Sequence, residues 1–228
     1  MTAMLNVKDL RAYYGQVQAL HGLEFALNEG SLTTLLGANG AGKTTLFNCL
    51  SRLYQPSHGD ILLEGQSILT RPPHRIAEIG IGRTFQNVAL FPNLSVLDNV
   101  RVGTHSRTNS DIISDSLKLP WVRRGEAALN KHVHEIVSYL DLDDVAHTVV
   151  SGLPFGTQKR VELARALAAE PKILLLDEPA GGLNHEEVHV LGDLIRRIRD
   201  DRKMTVLLVE HHMGLVIEIG RASCRERV

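Results

Sequence analysis

A chain of 228 residues is long enough for one domain with an insertion, since domains commonly contain about 150 residues. Its 43% apolar and 22% charged residues are typical of folded proteins and exclude a disordered or collagen-like chain. The 25 Lys and Arg residues nearly balance the 26 Asp and Glu residues. The resulting net charge of -1 gives no overall attraction to nucleic acid, so no nucleic-acid partner is expected.

The sequence also limits the compartment. Residues 173–176 form one of the longest apolar runs, which is far below the roughly 20 residues that span a bilayer. The first eight residues lack the basic and apolar segments of a secretory signal, so we expect a protein of the cytosol. Cys49 and Cys224 are too few for a disulfide framework, and Cys49 is expected in the core.

Apolar patterning predicts the elements of the first third of the chain. A turn near Gly15 separates the strands predicted at 5–10 and 23–27, and Pro56 with Gly59 ends the helix predicted at 43–53. The predicted elements, in chain order, are strand 5–10, strand 23–27, strand 32–36, helix 43–53 and strand 61–63.

The pattern changes between residues 87 and 152, where one face of an amphipathic helix predicts a helical insertion. Residues 104–115 are expected to form a loop, and Pro120 is expected to interrupt the segment that follows. The apolar face consists of Leu129, Val133, Ile136, Val137 and Leu140. Strands at 173–176 and 205–209, separated by a helix at 185–201, predict an α/β fold with a largely parallel sheet.

The loop after strand 32–36 has the complete pattern of a phosphate-binding P-loop in the required context of strand, loop and helix. Its glycines allow backbone N–H groups to turn toward phosphates, Lys43 would contact the β- and γ-phosphates, and Thr44 would ligate Mg²⁺. The predicted ATP-binding residues of this loop are Gly37, Ala38, Asn39, Gly40, Ala41, Gly42, Lys43, Thr44 and Thr45.

A second motif at residues 172–179 is an apolar strand that ends in two carboxylates. Ligands bind at the carboxyl ends of strands in open α/β sheets, so this position suits nucleotide chemistry. Asp177 would hold Mg²⁺ through water, and Glu178 would polarise the attacking water. The alternative is a solvated pair with a helix-capping role, and the P-loop in the same chain favours the nucleotide site.

Residues 153–167 lie between these motifs and resemble the signature segment of ABC ATPases. The resemblance covers residues 5–219. Tyr14 corresponds to the aromatic that stacks on adenine, Gln86 to the Q-loop, residues 180–184 to the D-loop and His211 to the switch histidine. It implies catalytic roles for Glu178, His211 and Gln86, with Gln86 also sensing Mg²⁺, and ATP and Mg²⁺ as cofactors.

The resemblance further implies a P-loop NTPase (RecA-like) core with an N-terminal antiparallel β subdomain and an inserted α-helical subdomain. The expected ABC ATPase domain spans 1–228, with a core at 1–86 and 162–219 and a helical subdomain with the signature at 87–161. Residues 220–228 show no strand pattern, so we interpret them as an atypical tail and the C-terminal part as truncated.

Residues 83–87, the helical insertion, residues 156–160 and residues 180–184 resemble one subgroup, the ATP-binding subunits of branched-chain amino acid importers. This resemblance implies uptake of branched-chain or other hydrophobic amino acids through transmembrane permease subunits, supplied indirectly by a solute-binding protein. It also implies a peripheral position on the cytoplasmic face of the plasma (inner) membrane, and a head-to-tail ATPase dimer with two ATP molecules at its interface.

The signature departs from the usual Leu-Ser-Gly-Gly-Gln, because Pro154 replaces Ser, Phe155 replaces the first Gly and Thr157 replaces Gln. Proline offers neither a hydroxyl nor an N–H group to a γ-phosphate. Recognition of ATP in the partner subunit is therefore expected to rest on the backbone around Gly156 and Thr157 and on the N-terminus of the next helix.

Other interpretations remain open from the sequence alone. They are a non-transport ABC ATPase acting on DNA or ribosomes, a nucleotide kinase or GTPase, and an inactive truncated subunit. His185 and His189 have i, i+4 spacing, but a solvated helix face is favoured over a metal site because no third ligand other than Glu186 is evident.

Overall fold

The computed structural model describes residues 3–38, 40–85, 88–107, 120–211 and 213–220. The chain divides into two compact units, which we call the core unit (Met1–Gln86 with Lys172–Val228) and the helical unit (Asn87–Pro171). In chain order the strands are β1 (Ala3–Tyr14), β2 (Val17–Asn28), β3 (Leu32–Leu35), β4 (His58–Leu63), β5 (Gln66–Ser67), β6 (Ile81–Arg83), β7 (Ile173–Asp177) and β8 (Thr205–Val209). The α-helices are α1 (Lys43–Leu50), α2 (Val96–Gly103), α3 (Pro120–Tyr139), α4 (Phe155–Ala168), α5 (His185–Arg202) and α6 (Met213–Gly220).

The core unit contains two four-stranded sheets. The first is antiparallel throughout, with the strand order β2-β1-β4-β5. The second is parallel, with the order β3-β8-β7-β6. Parallel neighbours need long connections, and helices supply them between β6 and β7 and between β7 and β8. This α/β architecture confirms the fold class predicted from the sequence.

Helix α1 supplies the largest buried side chain of the core unit, Phe47, which is fully buried. Apolar residues of both sheets belong to the same cluster, so the burial of α1 joins the sheets into one core. Cys49 lies in this cluster as expected, and its burial raises the pKa of its thiol to about 11.

In the helical unit, α2 packs against α3 and α4. At Gly103, a Cβ atom would lie 2.0 Å from the carbonyl oxygen of Arg165, so a larger residue would require the backbones to move apart. Burial lowers the pKa of the Arg165 guanidinium from its ordinary value. The whole of α4 belongs to the helical unit, and residue 162, the predicted start of the second core segment, lies within this helix.

Several boundaries differ from the predictions. Strands β1 and β2 have 12 residues each, because backbone pairing continues to Tyr14 and Val17, beyond the apolar pattern. Pro120 begins helix α3 instead of interrupting the segment, since the first turn of a helix tolerates a residue without an N–H group. Of the predicted loop at 104–115, residues Thr104–Arg107 form a 3₁₀ turn and residues 108–115 lie outside the described part.

The long helix predicted at 185–201 is observed as α5, and Asn184 caps it. The Asn184 side chain accepts a hydrogen bond from the Glu187 N–H, and the Glu187 carboxylate accepts one from the Asn184 N–H, which forms a capping box. Within the described ranges, no helix has both the length and the apolar character needed to cross a membrane. Residues 221–228 of the predicted tail lie outside these ranges.

Candidate nucleotide site

The loop between β3 and α1 has a backbone that only glycine adopts without strain. Gly40 and Gly42 both have φ of +84°, and Gly42 is the residue that caps α1. A Cβ atom on Gly42 would lie 2.5 Å from the carbonyl oxygen of Ala19, so side-chain volume is excluded as well. The left-handed backbone therefore explains the glycines at positions 40 and 42, and the contact with Ala19 adds a second reason at Gly42.

Lys43 begins α1 and directs its ammonium group back into this loop. Its Nζ donates hydrogen bonds to the carbonyl oxygens of Gly37, at 2.5 Å, and Ala38, at 2.9 Å. The Ala41 N–H also donates to the Ala38 carbonyl, which closes the turn. The loop therefore combines a cation with the N-terminus of a helix, which is the arrangement that binds phosphates.

The other predicted residues of the loop have different environments. Thr44 is exposed at the start of α1, whereas Thr45 is buried. Asn39 lies outside the described residues. Of the two threonines, Thr44 is thus the more accessible to a ligand.

The register of the parallel sheet brings the two sequence motifs to the same edge. Leu35 of β3 is paired with Val209 of β8, and Val209 is paired with Asp177 of β7. Because all three strands run in the same direction, the P-loop, Glu178 and His211 all follow the same row of the sheet.

Asp177 is almost completely buried and forms an ion pair with Arg83. The Nη2 atom of Arg83 lies 2.9 Å from Asp177 Oδ2, and the two side chains are 7% and 3% exposed. Arg83 Nη1 also donates to Asn48 Oδ1, at 2.9 Å, and to Ser51 Oγ, at 2.7 Å, both at the end of α1. The guanidinium lies over the rings of Phe47 and Phe85. Arg83 therefore connects β6, α1 and the second motif.

Glu178 and His211 come together beyond the sheet edge. His211 Nδ1 lies 3.5 Å from Glu178 Oε1, and the two side chains are 56% and 16% exposed, respectively. Glu178 has a left-handed backbone with φ of 47°, and its N–H donates to the Val209 carbonyl at 2.9 Å. The structure thus brings together two of the predicted catalytic residues, and the third, Gln86, lies outside the described residues.

Sequence reasoning missed Glu210, which precedes the predicted switch histidine. Its side chain is fully buried, and its two oxygens accept hydrogen bonds from the N–H groups of Ala180 and His211. It also missed the connection made by Arg83. A charged residue directly after a short apolar strand is the signal that could have identified Glu210, because such charges are rarely buried without partners. Arg83 has no equivalent local signal.

Tyr14 lies at the end of β1 with 48% of its surface exposed. Its ring centroid is 4.9 Å from that of Tyr54, at an interplanar angle of 48°. The Tyr54 hydroxyl donates to the Tyr13 carbonyl, which positions the Tyr54 ring beside Tyr14. An exposed ring supported on one side is suited to stack against a planar ligand.

The signature segment forms the start of α4 in the helical unit. Pro154 has an extended backbone and caps the helix, so Gly156 and Thr157 lie in the first helical turn, whose N–H groups have no acceptor within a helix. Farther along α4, Arg165 Nη1 donates to the Ala89 carbonyl at 2.5 Å, which ties the helix to the segment shortly after Gln86.

Of the two histidines with i, i+4 spacing on α5, His189 has a nearby carboxylate as its partner. His189 Nδ1 lies 2.8 Å from Glu218 Oε2, and Glu218 also accepts a hydrogen bond from Arg196 Nη2 at 2.9 Å. These contacts link α5 to α6 within the core unit.

Comparison with known proteins identifies the relatives of this chain. Residues 20–181 match the family model described as ABC transporter. Over 217 residues, the chain is 39% identical to the high-affinity branched-chain amino acid transport ATP-binding protein BraF of Pseudomonas aeruginosa. It is 38% identical over the same length to the corresponding protein LivG of Escherichia coli K12. Each alignment covers 95% of this chain and 85% of the relative.

A solved structure has the same fold. The ADP conformation of MJ1267, an ATP-binding cassette of an ABC transporter, superposes with a TM-score of 0.82 at 26% sequence identity. The match covers 96% of this chain and 85% of the other. The family resemblance and the P-loop fold inferred from the sequence motifs are therefore confirmed.

Proposed function

We propose that this chain is the ATP-binding and ATP-hydrolysing subunit of an importer, since it belongs to the ABC transporter family. The observation that carries the proposal is the row Leu35, Val209 and Asp177 across the parallel sheet. From this row emerge a phosphate-binding loop, a buried carboxylate and the Glu178–His211 pair, which are the parts that phosphoryl transfer to water requires.

In this proposal the backbone N–H groups of residues 37–45 and the Lys43 ammonium bind the ATP phosphates, and Tyr14 stacks on the adenine. Thr44 would offer an oxygen ligand, the class that Mg²⁺ prefers, Asp177 would hold the ion through water, and Gln86 would add another ligand. Bound Mg²⁺ would neutralise charge on the phosphate oxygens. The ion pair with Arg83 holds the Oδ2 atom of Asp177 at the end of β7, which would keep this carboxylate near the bound ion.

Glu178 accepts a proton from the attacking water, and His211 contacts the γ-phosphate and orients that water. The short distance between their side chains supports a joint role, since both must act on the same water molecule.

A second ATPase subunit, bound head to tail, would complete each site. Its Gly156 and Thr157 contribute first-turn N–H groups to the γ-phosphate, and this contact needs neither a serine hydroxyl nor an N–H group at Pro154. ATP binding would then close the dimer, and loss of the γ-phosphate would let it open.

The names of the relatives support branched-chain amino acids as the transported class, and other hydrophobic amino acids remain part of the proposal. The partners would be transmembrane permease subunits and, indirectly, a solute-binding protein, which places the subunit on the cytoplasmic face of the plasma (inner) membrane. Sequencing the genes on both sides of the gene for this chain tests the proposed import function, because permease and solute-binding-protein genes are expected there. Their absence would remove the support for import while leaving ATP hydrolysis open.

Steady-state hydrolysis by purified variants tests the catalytic part. Glu178→Gln is expected to bind ATP and accumulate an ATP-bound dimer, with turnover reduced by at least about a hundredfold, because the amide cannot accept the proton. Lys43→Ala is expected to weaken nucleotide binding instead. Glu78→Gln, in an exposed ion pair with Arg75, is the control and should keep normal turnover. Full hydrolysis by Glu178→Gln would refute the role of Glu178.

A further inference from the structure

Glu210 is a fully buried carboxylate at the end of β8. Its Oε1 accepts a hydrogen bond from the Ala180 N–H, and its Oε2 accepts one from the His211 N–H, both at 2.9 Å. Its own N–H donates to the Leu35 carbonyl at 3.4 Å. One residue therefore contacts the end of the P-loop strand, the loop after Glu178 and the histidine backbone.

A buried carboxylate is costly unless charge-assisted hydrogen bonds compensate the lost hydration. Two N–H groups provide that compensation here, one for each oxygen. Glutamate suits this position because its oxygens accept hydrogen bonds on both sides. Glutamine has one oxygen and one NH₂ group, so the NH₂ group would face one of the two N–H donors.

The two donors belong to segments that carry the proposed catalytic side chains. Ala180 is two residues after Glu178, in a turn closed by hydrogen bonds from Gly181 to the Glu178 carbonyl and from Leu183 to the Ala180 carbonyl. His211 bears the imidazole that lies 3.5 Å from Glu178 Oε1. The Glu210 carboxylate therefore ties together the backbones on both sides of this pair.

We propose that Glu210 is a positioning residue that sets the separation of Glu178 and His211 by bridging the backbone N–H groups of Ala180 and His211. The inference rests on the proposed ATPase function. Glu210 does not touch the reacting atoms. Its effect passes through the backbone, so its removal should alter turnover while nucleotide binding at the P-loop is retained.

The test begins with the wild-type chain. The N–H groups of Ala180 and His211 are expected to exchange slowly with solvent in NMR hydrogen-exchange experiments, because each donates to a buried carboxylate. Rapid exchange of both amides would overturn the bridge, and this result does not depend on activity or on any variant.

The second step compares the ATP kinetics of Glu210→Gln, Glu210→Asp and Glu218→Gln. We expect Glu210→Gln to lower kcat about tenfold, with KM for ATP unchanged within about twofold, since small misplacements of catalytic groups lower turnover strongly. Glu210→Asp keeps the charge but is one methylene shorter, so it is also expected to be impaired. Glu218→Gln removes a carboxylate that links α5 to α6 and serves as the structural control.

Each kinetic result supports or overturns the bridging role of Glu210. A normal kcat in Glu210→Gln, or restored kcat in Glu210→Asp, would overturn the bridging role, and so would equal losses of kcat in Glu210→Gln and Glu218→Gln. If the wild-type chain hydrolyses no ATP, the proposed function fails, whereas the hydrogen-exchange result still decides whether the bridge exists.

Discussion

Replacement of Arg83 by methionine tests how the Asp177 carboxylate is stabilised. Methionine has a similar length and can pack against Phe47 and Phe85, but it cannot donate hydrogen bonds. The substitution would leave Asp177, which is 3% exposed, without the guanidinium that lies 2.9 Å away. It would also remove the donor to Asn48 and Ser51.

Because both members of the ion pair are buried, removal of one partner leaves an uncompensated charge, which costs about 3–5 kcal/mol. We expect Arg83→Met to lower the free energy of unfolding by this amount. Arg75→Met is the matched control, since Arg75 is 57% exposed and lies 3.7 Å from Glu78. An exposed pair contributes about 0–1 kcal/mol, so the control should change stability little.

Urea unfolding followed by circular dichroism measures the loss, and a double-mutant cycle with Asp177→Asn assigns it. The double variant removes both charges, so its loss should be smaller than the summed single losses by about 2 kcal/mol. Additive losses would refute the argument that the pair is coupled. Equal stabilities of Arg83→Met and Arg75→Met would refute the argument that burial makes the pair costly to break.

Two further predictions concern the start and the interior of α1. Gly42→Ala should lower the free energy of unfolding by at least about 2 kcal/mol more than Gly40→Ala does. Both residues have φ of +84°, but only at Gly42 would the added Cβ lie 2.5 Å from the Ala19 carbonyl oxygen. Equal losses in thermal unfolding would contradict the steric explanation. In a Cys224→Ser background, Cys49 should react with iodoacetamide at pH 8 only after unfolding. Burial raises its pKa from 9.0 to about 11, so the unfolded thiol ionises first and stability should fall as the pH rises from 9 to 11. Rapid labelling of the native protein would contradict this prediction.

The sequence predicted the elements whose local pattern and tertiary role agree. The strand at 205–209 was placed correctly, and the helix at 185–201 differs from α5 by one residue, because an apolar run and a capping residue define them locally. The short strand β6 was not predicted. Its Gly82 and Arg83 lack strand character, and it forms because its backbone pairs with β7.

The candidate site also contains some features that a local pattern predicts and others that depend on distant contacts. The P-loop could be predicted because phosphate binding by backbone N–H groups requires glycines at fixed intervals, and these are visible in one segment. The contact between Arg83 and Asp177 joins residues that are 94 positions apart, and the contact between Glu210 and Ala180 joins residues that are 30 apart. No local pattern specifies such pairs, because they depend on which strands are neighbours in the sheet.

Arg83 and Glu210 have complementary positions around the candidate site. Arg83 places a positive charge against the carboxylate at the end of β7, and Glu210 places a negative charge against backbone N–H groups at the end of the adjacent strand β8. Both are buried, so their hydrogen bonds are made in surroundings where they constrain geometry more strongly than at the surface. The motif residues would supply the chemistry, and these two buried charges would fix the distances at which that chemistry operates. Substitution of either one should therefore impair hydrolysis even when the P-loop, Asp177, Glu178 and His211 are intact.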